Sequence, residues 1–310
     1  MIDRRLNVLR VVASHGTVTA AAQALGFSPS AVSHQLRSLS AELGVPLLEQ
    51  DGRGIRLTEP ARILLEHADD LFALWEEVRA DLEQTDPDQV RSLRLCGFAT
   101  AASALLPSVA AQVRSIHPRC SVRIIEADPE ECFDLLLAQQ ADLAVVVATA
   151  TIPTSTDPRF DQKALLDDPL DLLVPADHPF ATRPSVLLRD AAQEPWILDR
   201  PGRPHHRLVL AACAAAGFTP SAAHETSEWD TGAALVSAGL GVALIPRLAR
   251  LPTGERTVRV PLRGEPAPAR HLLTAVRRGG RRQPAVATAL GALDAVASRR
   301  VERPGAGGAH

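Results

Sequence analysis

The residues near the N-terminus best suited to chemistry lie in the run Ser28-Pro29-Ser30-Ala31-Val32-Ser33-His34-Gln35-Leu36-Arg37. Ser28 is a favoured helix N-cap, and Pro29 suits the first helical position, where a missing N–H costs nothing. A helix from Pro29 to about Leu43 carries Val32, Leu36 and Leu39 along one stripe. Ser30, Ser33, His34 and Arg37 then fall on the other face. That face offers hydrogen-bond donors and acceptors and no large hydrophobe, which suits base edges in a DNA major groove. Taken alone, it would serve equally well as a plain solvated surface. A second feature follows at once. Asp51-Gly52-Arg53-Gly54 lies between the short apolar pieces Leu47-Leu48 and Ile55-Arg56-Leu57, and reads as a β-hairpin. Arg53 at its tip and Arg56 on its return strand suit phosphate or minor-groove contact. A hairpin with two arginines is unremarkable by itself; placed directly behind a capped polar helix, it forms a winged helix-turn-helix pattern.

Other reactive side chains point to less. No CxxC occurs among Cys96, Cys120, Cys132 and Cys213, and no Cys/His spacing suits a metal. All four thiols read as core residues. His205 and His206 are adjacent, so they cannot easily share one metal, and capping or surface roles are expected for them. No nucleophile–base pair and no Gly-rich phosphate loop is found, so neither a catalytic set nor a cofactor is expected.

The elements that must position the polar helix come before and after it. Asp3 can cap a first helix with Leu6, Leu9, Val12 and Ala13 inward, and Gly16 stops it. Thr19 is expected to cap an Ala-rich second helix ended by Gly26. After the hairpin, Thr58 caps a long helix to about Glu83, roughly 35–40 Å at 1.5 Å per residue. Its apolar stripe includes Leu64, Leu65, Ala68, Leu71, Phe72, Trp75 and Leu82, the spacing of a coiled-coil-like dimer seam. The opposite face is acidic and is expected to turn away from DNA. Thr85-Asp86-Pro87-Asp88 reads as a hinge. Beyond it strands and helices alternate: βαβαβ through Val147, then a second unit of the same kind, implying parallel sheets. One long helix is expected from Ala101 to His117 and a strand from Leu170 to Val174.

Charge excludes one class outright. The 310 residues carry a formal net charge of −3, so the chain is no globally basic nucleic-acid coat. Residues 1–60 hold six arginines against five acids, so placement rather than net charge must support DNA binding. No apolar leader and no run of eighteen apolar residues is present, so a cytoplasmic chain with reduced thiols and no membrane partner is expected.

These residues resemble the LysR-type transcriptional regulator family. The match runs from Leu6 to Ala68 and continues through LLPSVAAQVRSIHP (105–118), ADLAVVV (141–147), VPADHPFA (174–181) and LVSAGLGVALIP (235–246). The resemblance implies an N-terminal all-α winged helix-turn-helix (1–58), a linker and dimerisation helix (59–86), and an α/β effector-binding domain (91–303) like a periplasmic binding protein. That domain would divide into 91–166 with 270–303, and 167–269; 304–310 would be a disordered tail. Implied partners are double-stranded promoter DNA, a small-molecule effector, a homodimer usually joined into a homotetramer, and RNA polymerase. Two departures matter. The recognition helix of the family usually begins Ser-Gln-Pro-Ala-Val-Ser, whereas Ser28-Pro29-Ser30-Ala31-Val32-Ser33 lacks the Gln. The usual Phe-Glu-Arg before the wing is Leu48-Glu49-Gln50, so one arginine is lost. DNA contact is therefore expected from Thr19, Ser28, Ser30, Ser33, His34, Arg37, Arg53 and Arg56. By position, the effector pocket would take Thr100, Ala101 and Ser103 at a helix N-terminus, Asp128, Val147 and Ala148, and Arg200, Gly202, Arg203, Trp229 and Thr231. Thr100 with Arg200 would suit a carboxylate and Asp128 a hydroxyl or amine, so the effector, an anion on the first reading, keeps an open charge. One peroxide-sensing branch of the family uses a Cys pair in the second subdomain, where this chain has only Cys213. An effector-independent regulator and a cytoplasmic solute-binding protein remain alternatives at this point.

Overall fold

The computed structural model describes residues 2–51, 54–85, 92–254, 256–264 and 267–301. Arg53, the hinge beyond Thr85 and the 304–310 tail lie outside them. Three helices come first: α1 (Arg4–His15), α2 (Val18–Leu25) and α3 (Pro29–Leu43). Asp3 caps α1 by accepting from the Arg5 N–H at 2.9 Å. Gly16 ends it in the left-handed region (φ 67°), a conformation that favours glycine. Thr17, not Thr19, caps α2: it is the extended residue, and its Oγ1 accepts from the Ala20 N–H at 3.2 Å. Thr19 is an exposed residue of the first turn. Ser28 caps α3, accepting from the Ala31 N–H at 3.2 Å. Leu9, Val12, Ala21, Ala22, Val32, Leu36 and Leu39 form one apolar core between the three helices. Alanine at 21 and 22 keeps their side chains short enough for close approach.

The hairpin strands are β1 (Leu48–Asp51) and β2 (Gly54–Leu57), antiparallel with Asp51 opposite Gly54. Leu47, expected in the first strand, is instead a buried anchor just before it. Thr58 links hairpin to helix: its hydroxyl donates to Pro46 O at 2.6 Å and accepts from the Ala61 N–H at 3.3 Å. Helix α4 then runs Glu59–Thr85.

The chain forms two compact units. The first contains the winged helix, α4, residues 92–146 and 150–165, and the chain from Leu273. Its α/β layer comprises β3 (Ser92–Gly97), α5 (Ala99–Ala104), α6 (Leu106–Ile116), β4 (Ser121–Glu126), α7 (Pro129–Leu137) and β5 (Leu143–Val147). β3 pairs in parallel with both β4 and β5, as the βαβαβ pattern requires. The single helix expected over 101–117 is two. Leu105 leaves the helical path and Pro107, which has no N–H to donate backwards, sits in the first turn of α6. A last helix, α10 (Pro284–Val301), completes this unit.

The second unit spans Val147–Thr149 and Leu166–Leu272. Its strands pair in a mixed way, where the alternation predicts parallel pairing throughout. β6 (Phe160–Pro175), far longer than the expected 170–174, runs from the first unit into it. β10 (Ala243–Pro246) and β11 (Thr257–Arg263) pair with β6 antiparallel, and β7 (Val186–Leu187) pairs with β11 in parallel. β8 (Pro195–Leu198) and β9 (Ser221–Glu225) form a separate parallel pair. Helix α8 (Pro204–Ala215) packs on the core around the fully buried Trp196, and α9 (Trp229–Ser237) on a second core with Leu173, Ile197 and Ile245. β12 (Ala269–Arg277) carries the chain back to the first unit.

Candidate functional site

The polar face of α3 is built as its sequence implies. Ser28, Ser30, His34 and Arg37 are exposed and Ser33 half-buried, while Val32, Leu36 and Leu39 are buried behind them. The Ser28 and Ser30 hydroxyls lie 3.0 Å apart, so each helps orient the other. Arg5 pins the start of α1 to α3: its guanidinium donates to Ser38 Oγ at 3.1 Å and pairs with Asp3 and Glu42. On the wing, Arg56 is not free. It faces Glu49 across the hairpin, Nη2 to Oε1 2.9 Å, with both side chains largely exposed. A pair so exposed holds only about 0–1 kcal/mol, so a phosphate can displace the carboxylate. Arg62, which sequence reading passed over, lies at the wing base and donates to Leu57 O at 3.1 Å. Its position in the first turn of α4, five residues past the hairpin, was the available signal.

The long helix uses both its faces. Ile63, Leu71, Leu74, Trp75, Val78 and Leu82 are exposed, Leu82 to 59%. Ala68 and Phe72, expected in the dimer seam, are buried within the protein's own fold. Phe72 lies under the Arg10 guanidinium at 4.4 Å, which also bonds Asp69 at 2.6 Å. Leu64 and Leu65 are half-buried against the winged-helix core. The acidic face of α4 also makes contacts within the fold. Glu76 is buried and accepts from Arg277 Nε at 2.6 Å and from the Gln283 amide. Arg277 also donates to Asp142 at 3.1 Å and to Leu136 O at 3.2 Å. Arg94 closes the network with bonds of 2.8 and 3.0 Å to Asp142. Burial pushes the Asp142 carboxyl up, but the Arg94 hydrogen bonds and the Arg277 charge outweigh it and hold the pKa below the ordinary value. The turn after β12 can press on α4 because Gly279 (φ +85°) has no Cβ to strike the Ala73 carbonyl.

The expected pocket residues fall in both units. Thr100 and Ala101 are buried in the short α5. Ser103 is not at a helix N-terminus: it lies in the last turn, and its hydroxyl donates back to Ala99 O at 2.9 Å. Asp128 is exposed ahead of α7 and makes no side-chain cap bond. In the second unit Val147 is half-buried and Ala148 exposed, with the Ala148 N–H on His271 O at 2.8 Å. Arg200, Gly202 and Arg203 are exposed and surround Asp199, a buried residue that sequence reading missed. Its carboxylate accepts from the Arg200 N–H at 2.7 Å and from Ser227 Oγ at 2.8 Å, with Arg203 Nε 3.4 Å away. These bonds tie the loop before α8 to the loop before Trp229 and the exposed Thr231. His205 corrects a second expectation. It is neither a surface nor a capping residue: its ring packs edge-on to Trp229 at 4.8 Å between centroids, and Nε2 lies 3.0 Å from Leu244 O. Burial lowers its pKa to about 4.

All four cysteines are buried and unpaired. Burial pushes the Cys213 thiol up to about 12, which suppresses the thiolate that redox chemistry needs. Among the described residues no group of three His, Cys, Asp or Glu could hold a metal ion, and no helix is long and apolar enough to cross a membrane.

A capped polar helix, a hairpin wing and a long helix feeding a two-unit α/β domain define a DNA-binding regulator with a ligand-binding module. Comparison with known proteins agrees. The family model for bacterial regulatory helix-turn-helix proteins of the lysR family matches residues 4–62, and that for the LysR substrate binding domain matches residues 87–298. The chain belongs to the LysR family of transcriptional regulators, and is not an enzyme. It is 29% identical over 236 residues to the transcriptional dual regulator GltC of Bacillus subtilis, covering 75% of this chain and 77% of that one. It is 28% identical over 259 residues to the regulator CysB of Burkholderia cenocepacia, covering 82% and 80%. Its fold is similar to that of full-length OxyR of Pseudomonas aeruginosa (TM-score 0.64, 22% identity, 94% of each chain). It is also similar to the LysR family regulator CbnR (TM-score 0.56, 23% identity, 94% of this chain and 100% of that one). LysR regulators bind promoter DNA and small-molecule effectors and form oligomers.

Proposed function

We propose that this chain is an effector-responsive regulator that reads DNA through Ser28, Ser30, Ser33, His34 and Arg37 in the major groove. Thr19 and the wing residues Arg53 and Arg56 contact the backbone. The observation that carries this reading is the α3 face, polar and exposed along one side while its opposite stripe is fully buried. Two copies pair along Leu71, Trp75 and Leu82, joined by Ile63, Leu74 and Val78, which leave apolar surface on one side of α4. Ala68 and Phe72 take no part in that seam. Dimers join into tetramers, and RNA polymerase is the further partner of the bound complex in the cytoplasm. The effector binds the α/β domain, and the loops around Asp199 and Trp229 are its contacts in the second unit.

Thiol-based peroxide sensing, which the likeness to OxyR would suggest, is disfavoured by the burial of Cys213, the one cysteine of the second unit. Gel-shift titration against the DNA beside the chain's own coding region tests the main reading. Sequence-preferring, salt-sensitive binding is expected; equal affinity for scrambled DNA would refute it.

A further inference from the structure

A hinge at Thr85-Asp86-Pro87-Asp88, as the sequence suggests, would let the winged helix and α4 swing against the α/β domain. Within the first unit, contacts far from that segment tie these parts together. At the end of α1, His15 Nε2 lies 3.1 Å from Asp134 Oδ1 on α7, with both side chains half-buried. At the end of α2, the Ala24 carbonyl is one of the last four of its helix, which have no partner within the helix. It accepts from the Gln140 amide, just beyond α7, at 3.0 Å. Apolar packing joins the same elements: Val8, Val11 and Ala21 of the winged helix and Phe133, Leu136 and Leu137 of α7 belong to one continuous buried core. The turn that carries Gln140 is held in a disfavoured shape. Gln139 has φ +57°, the left-handed region, and is the one non-glycine there among the described residues. Such strain persists where surrounding contacts enforce it. Here Arg94 Nη1 donates to the Gln139 carbonyl, and the Gln140 and Ala141 N–H groups close onto Leu135 O at 2.7 and 3.0 Å. Arg10 bonds α1 to Asp69 of α4 at 2.6 Å, and Glu76 bonds α4 to Arg277 of β12, so the contacts form a closed circuit.

We propose that α7 and the Gln139-Gln140 turn latch the winged helix within its own chain, so that it turns with the first α/β subdomain and DNA binding is felt at α7. The inference rests on the DNA-reading function proposed above. It adds a second route, besides α4, between the effector domain and the winged helix. Coupling between two sites is reciprocal, so a signal that passes from the α/β domain to DNA also passes back. Sequence could not reveal the latch, because Gln140 and Ala24 are 116 residues apart.

Hydrogen-exchange mass spectrometry on the full chain tests this. In the free protein, Gln140→Ala and Asp134→Ala should each speed exchange at the ends of α1 and α2 by about three- to tenfold, while β3 and β5 keep their protection. His15→Ala reads the seam from its other side and should speed exchange in α7. The double variant His15→Ala/Asp134→Ala should exchange no faster than the faster single variant, because both changes remove one contact. Gln139→Gly relieves the backbone and leaves Gln140 in place, so α1 and α2 should stay as protected as in the wild type. When the duplex beside the chain's own coding region is added, α7 should exchange more slowly in the wild type but not in Gln140→Ala. Unchanged α1 and α2 exchange in both α7 variants, additive His15 and Asp134 effects, or an α7 blind to bound DNA would overturn the proposal. Gel shifts on the same samples separate the two claims. Intact DNA preference with an unresponsive seam removes only the latch, whereas lost DNA preference removes the regulator reading itself.

Discussion

At the scale of single residues, the proposed DNA-reading surface assigns different duties to a few side chains. Arg37 projects from α3 without an ion-pair partner among the described residues, so its charge is available to phosphate. Arg37→Ala should lower the slope of log Kobs against log salt by about 1, similarly on all sequences. Arg53→Ala on the wing should do the same, and an unchanged slope would remove the wing from the interface. Arg56 differs because Glu49 holds it at 2.9 Å. Glu49→Gln should therefore tighten DNA binding several-fold at low salt, an effect that fluorescence anisotropy would show fading as salt rises. His34 carries no such general role; its substitution should change which bases are preferred, by about 1–3 kcal/mol at one position.

At the scale of elements, the helix starts and stops near the N-terminus were legible because their determinants are local. Asp3, Gly16, Gly26 and Ser28 act within one helical turn of themselves. Thr17 was missed for Thr19 because two threonines lie two residues apart and either suits a cap. The break at Leu105 was missed because the residues around it are apolar and look continuous. Long-range partners were beyond reach: Glu76 looked like one more solvated acid of α4, and the arginine that buries it lies 201 residues on. That network is predicted to matter strongly. Arg277→Met should cost about 3–5 kcal/mol in denaturant unfolding, since the buried Glu76 would lose its closest cation and keep only Arg79 at 3.6 Å, while Asp142 would keep only Arg94. Arg282→Ala, which breaks only the exposed pair with Asp81 at 3.0 Å, should cost less than about 1 kcal/mol. On the other face of α4, Leu71→Asp should convert dimers to monomers in sedimentation velocity; an unchanged profile would contradict the seam.

At the scale of the whole molecule, the class of protein was legible from the order of its parts, whereas the strand pairing of the second unit was not. Alternation of strands and helices suggested parallel sheets throughout, yet β10 and β11 run antiparallel to β6, a pairing that no local pattern encodes. Stability against pH follows from buried groups in both units. His205, lowered from 6.5 to about 4, binds a proton more readily unfolded than folded. Its contribution is thus complete above the unfolded value and is lost as pH falls from about 6.5 towards 4, roughly 3 kcal/mol in all. Asp142, held below its ordinary value, gives stability above the usual carboxylate range that disappears on further acidification. Unfolding midpoints should therefore fall in two stages, and His205→Gln should remove the first. The claim on which everything else rests is that a nearly neutral N-terminal domain reads DNA by placement of a few groups. The most direct test is the salt dependence of binding by the wild-type chain and Arg37→Ala, on the DNA beside its own coding region and on a scrambled duplex. The account predicts tighter binding to the first duplex and a slope smaller by about 1 in the variant on both. Equal affinity for the two duplexes with an identical slope in the variant would contradict it.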